Sequence, residues 1–135
     1  MVDPQIEAHG RAAVKAFYDA WNEHDMDAVR ISLNYPHVTY APGAVEVRES
    51  PSEFESPFEW LQDEGWHHSS LDSAEAVWSA PDRIFMRVEY SRYHADGTKY
   101  RSGEMIYGVT NIDGHWGIQF RTRGWLQIAP GEKGR

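Results

Sequence analysis

The sequence contains no cysteine, which excludes disulfides, zinc–thiolate centres and a thiol nucleophile. It has no run approaching the ~20 apolar residues that a membrane-spanning helix needs. Asp3, Glu7 and Arg11 interrupt the first residues, so no targeting segment is expected there, and the expectation is a soluble, cytoplasmic protein. Basic side chains are scarce in one half. Residues 1–64 carry 4 basic against 13 acidic side chains, and residues 65–135 carry 9 against 8. A net charge of −8 argues against nucleic acid as a partner, because a phosphate backbone requires clustered Lys and Arg over the footprint. Acidic helices likewise disfavour a membrane surface. The seven histidines include no HxH or HExxH pair, and no Gly-rich phosphate loop or GxSxG elbow occurs. Neither a metal nor a cofactor is expected.

What is present is a division of the chain into two unlike halves. With 135 residues the chain is expected to form one domain over 1–135, with a loose tail from Pro130. Asp3-Pro4 is a helix start, and Ile6, Ala13, Phe17, Ala20, Trp21 and His24 recur at helical spacing, predicting a helix to about His24 in which Gly10 is a weak point. Asp25 restarts the chain as a second N-cap, with Met26, Val29, Ile31 and Leu33 in a helix ending before Pro36. His37–Tyr40 reads as a first strand that Val45–Arg48 pairs back on after Pro42-Gly43. Ser50-Pro51-Ser52-Glu53 and Ser56-Pro57-Phe58-Glu59 both read as capping boxes, the second opening a helix to Glu64. Four strands follow, near Trp66–Ala80, Arg83–Ala95, Lys99–Ile112 and His115–Ile128, with Asp96-Gly97 and Asp113-Gly114 as hairpin signals. Helices followed by a long twisted meander make an α+β cone around a cavity.

Phe17-Tyr18-Asp19-Ala20-Trp21-Asn22, the Asp25 restart, Gly65-Trp66-His67-His68-Ser69 and Asp113-Gly114-His115-Trp116-Gly117-Ile118 together resemble the nuclear transport factor 2-like superfamily (SnoaL-like, cystatin-like cone) over about residues 5–125. The resemblance implies a curved mixed, mostly antiparallel sheet wrapped by N-terminal helices, a central pocket, and a homodimer through the convex sheet face. Its catalytic branches leave gaps here. The acid of the dehydratase branch aligns with Asn22, and the acid of the ketosteroid isomerases aligns with Ala41. Neither side chain can move a proton. From Tyr93 through Asp96-Gly97 to Trp116 and Arg123 the strands also resemble the association domain of calcium/calmodulin-dependent protein kinase II, whose pocket takes small anions; His68 and Arg123 fall at the matching places.

These readings nominate a set of residues. His67 and His68 are adjacent on a strand and face opposite sides; His68 is expected to point inward and relay protons, the alternative being a hydrogen-bonded structural histidine. Glu104 alternates with Tyr100, Ser102 and Ile106 and would be a candidate base if that face were inward, or an ion-pair partner of Arg92 or Arg121 if not. Tyr18 or Tyr40 could donate to a developing oxyanion. Arg123 is expected to anchor an anion, with Arg121 and Arg92 nearby and Trp21 and Tyr40 offering a flat wall. Two functions stay open: a cofactor-independent isomerase, lyase or cyclase acting on a small anionic or aromatic ligand, and a non-catalytic ligand-binding or association module.

Overall fold

The computed structural model of the chain describes the backbone of residues 2–128 and the side chains of residues 2–122. Helix α1 (Pro4–Asn22) begins as its sequence requires: the Asp3 carboxylate accepts from the backbone N–H of Gln5 at 2.8 Å, satisfying a donor that has no partner within the helix. Asp25 caps α2 (Met26–Ile31) in the same way, through Ala28 N–H at 3.1 Å. That helix stops earlier than predicted, and Leu33 opens strand β1 (Leu33–Ala41). The two Ser-Pro-x-Glu segments also depart from expectation. Neither serine makes the capping bond to the third helical residue, although the elements themselves follow the expected order of a short helical turn (a 3-10 turn, Pro51–Glu53) and then a second helix, α3 (Phe58–Asp63), which starts after Pro57. Leading proline sets the backbone angle there without the reciprocal side-chain bonds.

Six strands form one sheet in the order β2-β1-β6-β5-β4-β3, from β2 (Ala44–Arg48), β3 (His68–Ala80), β4 (Arg83–Tyr93), β5 (Lys99–Ile112) and β6 (His115–Ile128). Among the described residues only the β1–β6 pair is parallel. The sheet is therefore mixed and mostly antiparallel, as predicted, with N-terminal helices packed on one face. At the β5–β6 hairpin Asp113 and Gly114 both take positive φ, 51° and 89°, the conformation that makes Asp-Gly suit a two-residue turn. The expected loose tail lies outside the described residues. Among the described residues no helix is long and apolar enough to cross a membrane.

The core lies between α1 and the sheet. Val14, Phe17, Val29, Leu61, Ile84, Met86, Val88, Val109 and Ile118 are all buried there. Gly10, which costs helix propensity, sits where α1 presses on β4: a Cβ would lie 2.9 Å from Ile84 Cγ2. Close approach, rather than flexibility, explains it. At its other end α1 is fastened by Asn22, whose amide donates to the Ser69 carbonyl at 2.7 Å and accepts from the Ser69 N–H at 2.8 Å. Asn22, which the resemblance aligns with an acid, thus acts as a tie between helix and sheet.

Among the described residues no helix covers the opposite face of the sheet. Cross-strand pairing places Val47, Val38, Phe120, Gly108, Phe85 and Trp78 in one row across all six strands. Gly108 leaves room for its neighbours, since a Cβ would meet the Phe85 ring at 2.9 Å.

Candidate functional site

A cavity of about 400 Å³ opens between the sheet, α1 and the segment that precedes α3. Phe17, Tyr18 and Trp21 enter it from α1, Thr39 from β1, Arg48 from β2, Phe54 and Trp60 from the α3 region, and Tyr90, Arg92, Met105, Tyr107 and Arg121 from the long strands. Tyr40, Glu46 and Glu55 are exposed at its mouth.

Which strand residues face the cavity follows from pairing. Arg92, Val88 and Met86 lie opposite Arg101, Met105 and Tyr107, and Tyr107 lies opposite Arg121. On β5 the inward face is thus the one with Arg101, Met105, Tyr107 and Val109. Glu104, on the other side of the strand, looks outward, faces Arg87 at 3.6 Å, and does not line the cavity. On β3 the inward residue is Ser69, paired with Arg92, whereas His68 pairs with Tyr93 and stacks on its ring at 4.7 Å. His68 therefore stands outside the cavity, with its Nδ1 3.0 Å from that of His67. Period-two alternation alone left these facings undecided. A further irregularity, a bulge in the β5–β6 ladder between Gly108 and Val109, lets Ile118 and Arg121 share the inward face although strict alternation separates them.

Of the other nominated residues, Tyr18, Trp21, Tyr40, Arg92 and Arg121 are brought together at the cavity. Tyr40 is 45% exposed and belongs to the mouth. Arg92 is held by Glu64 at 3.0 Å, beside Arg101 and the Tyr100 hydroxyl, which also reach Glu64; it is part of an ion-pair network at the cavity wall. The side chain of Arg123 lies outside the described residues, and its backbone pairs with Met105.

The centre of the site is Arg121. Its Nε–H donates to Nε2 of the buried His37 at 3.1 Å, and its Nη2 lies 3.4 Å from the Thr39 hydroxyl. Its guanidinium carbon lies 5.2 Å from the Phe17 ring centroid and 5.6 Å from that of Phe54. Among the described residues no carboxylate lies within 4 Å of it. Burial lowers its pKa, with Tyr107 opposing the shift, yet a guanidinium stays charged at neutral pH. Beside it the Tyr18 and Tyr107 hydroxyls share a hydrogen bond of 2.9 Å. Burial, and then the other tyrosine, raises Tyr18 well above the ordinary phenol range. Burial pushes Tyr107 up to about 12 against the lowering effect of Arg121. Both stay neutral donors.

Sequence reasoning missed His37, Arg48, Phe54 and Tyr107 as site residues. The segment before α3 brings Phe54 in because Arg30 grips the Phe54 carbonyl, at 3.1 and 3.0 Å, a contact no local pattern signals. No group of three or more metal-ligating side chains occurs among the described residues.

No family model matches the chain, and no curated protein matches it. Solved structures do. A protein of unknown function with a cystatin-like fold from Nostoc punctiforme matches with a TM-score of 0.73 at 12% identity, over 96% of each chain. The chain has the nuclear transport factor 2-like fold. A nuclear transport factor 2-like protein from Novosphingobium aromaticivorans matches at 0.71 and 12% identity, over 95% of this chain and 84% of that one. A ketosteroid isomerase-like protein from Erwinia carotovora atroseptica matches at 0.66 and 20%, over 96% and 100%. At such identities the nuclear transport factor 2-like fold is what is shared; chemistry has to be read from the pocket.

His37 generates a prediction. Burial first, then Arg121, lowers its pKa from 6.5 to about 3. The unfolded chain therefore binds the extra proton more readily than the folded one between those values. The stability that neutral His37 contributes is present above pH 6.5 and is lost as pH falls toward 3, at up to ~1.4 kcal/mol per pH unit. Urea denaturation from pH 7 to pH 4 should show a shallower acid loss for His37→Gln than for wild type; equal slopes would contradict the assignment.

Proposed function

We propose that the protein binds a small aromatic carboxylate in this cavity and acts as a ligand-binding domain. The observation that carries this reading is the Arg121 guanidinium, set among aromatic side chains with no carboxylate partner within 4 Å among the described residues. A partly buried cation without an anion carries a desolvation cost of several kcal/mol, and an incoming carboxylate offsets it with a charge-assisted, two-pronged hydrogen bond. The cavity, about 400 Å³, is in the range of small-molecule sites. Its Phe17, Trp21, Phe54 and Tyr107 walls suit a flat ring. The neutral Tyr18–Tyr107 pair adds a donor for a ligand oxygen.

Turnover by an isomerase, lyase or cyclase route needs a base, and support for one is thin. Both nitrogens of His37 are engaged, by Ile118 and Arg121. Glu46 is paired with Arg48 at 2.7 Å at the mouth. Asn22 and Ala41 occupy the positions where catalytic relatives carry acids. Among the described residues the carboxylates that line the cavity, Glu46 and Glu55, are exposed at its mouth, whereas the tyrosine pair that can stabilise an oxyanion is buried, which favours binding over catalysis.

The uncovered row of Val47, Val38, Phe120, Phe85 and Trp78 favours an association role beside binding, with a second copy of this chain as the occupant. Val47 is 49% and Trp78 44% exposed, and a continuous apolar row of this kind is uncommon on a monomer surface.

Calorimetric titration with benzoate should show saturable binding to wild type and at least a roughly tenfold loss for Arg121→Leu, the worth of one charge-assisted pair. Equal binding by the variant, or a preference for neutral benzyl alcohol over benzoate, would refute the anion reading. For the association reading, light scattering should give a dimer for wild type and a monomer for the Val47→Lys/Trp78→Lys double variant, both folded by circular dichroism. A monomeric wild type would refute it.

A further inference from the structure

The imidazole behind Arg121 has its hydrogen placement fixed by its neighbours. Nδ1 of His37 lies 3.0 Å from the Ile118 carbonyl oxygen, which only accepts. Nε2 lies 3.1 Å from Arg121 Nε, which only donates. Nδ1 must therefore carry the hydrogen and Nε2 must be bare. The charged and titratable groups around the ring are Arg121 from β6, Arg48 at the paired position on β2, and Tyr35 two residues earlier on β1. Both charged neighbours are cations, so a second ring proton would bring two like charges into contact and remove the acceptor that Arg121 uses.

Arginine has a long side chain whose ordering costs rotamer entropy. In this cavity its Nε edge is taken by His37, and Thr39 lies 3.4 Å from Nη2. What stays open among the described residues is the end formed by Nη1 and the rest of Nη2. A guanidinium presented by that end meets both oxygens of a carboxylate at once.

We propose that His37 is a positioning residue for the anion site: its neutral imidazole holds the Nε edge of Arg121, so that the Nη end faces the cavity before any ligand arrives. This rests on the anion reading above for its purpose but not for its test. The alternative is a histidine that merely fills the core and satisfies the Ile118 carbonyl.

Two substitutions separate these. His37→Asn places an amide where Nδ1 stands and keeps the bond to Ile118, but offers Arg121 no acceptor. His37→Gln places its amide oxygen near Nε2 and keeps that acceptor. The first readout needs no ligand: nitrogen-15 NMR of the Arg121 Nε–H. Exchange with solvent should be slow in wild type and His37→Gln and at least roughly tenfold faster in His37→Asn, the loss expected for about one hydrogen bond. The second is the benzoate dissociation constant, expected to stay within roughly threefold in His37→Gln and to weaken by roughly tenfold in His37→Asn. Unchanged Nε–H exchange in His37→Asn overturns the proposal, whatever the melting temperature does. So does equal weakening of benzoate binding in both variants. If wild type binds no benzoate while Nε–H exchange follows the expected order, the His37 lock stands and the carboxylate reading falls.

Discussion

A guanidinium occupies a place where a domain of this size would usually bury hydrocarbon. Ordering Arg121 there costs desolvation and rotamer entropy, and the surroundings meet those costs in specific ways. His37 accepts from Nε, Thr39 lies 3.4 Å from Nη2, the rings of Phe17 and Phe54 lie within about 6 Å of its charge, and among the described residues the Nη1 end stays open. Several sequence features acquire a reason from this. Phe54 has to be held beside the guanidinium, and Arg30 grips its carbonyl. Tyr18 and Tyr107 stand neutral beside the cation, and burial raises both further above the ordinary phenol range.

Most of the architecture was legible in the chain, because it rests on local signals. Asp3 and Asp25 cap their helices, Asp113-Gly114 makes its turn with both residues at positive φ, and the strand lengths follow the spacing of these turns. The errors were local as well. Leu33 fits the helical spacing of Met26 and Val29, yet pairing with Ile118 draws it into β1, a tertiary effect that overrides local propensity.

The site was less legible, since it depends on which way each strand faces. A shift of one residue exchanges the inner and outer sets. That is why Glu104 and His68 were drawn toward a cavity from which they are turned away, and why strict alternation, which would set Arg121 and Ile118 on opposite faces, fails where the bulge beside Gly108 brings them together. His37 carried no signal beyond being a histidine in a strand. Its role arises from Ile118 and Arg121, more than eighty residues away in sequence. Asn22 shows the opposite case: a residue noted for lacking an acid proves to have a positive structural task, tying α1 to Ser69.

The central claim is that a carboxylate belongs on the open end of Arg121. A crystal structure of the protein with benzoate tests it most directly. The carboxylate should lie against Nη1 and Nη2 of Arg121, with His37 still on Nε and the ring among Trp21, Phe54 and Tyr107. Benzoate held instead by Arg48 or Arg92, or bound only outside the cavity, would contradict it.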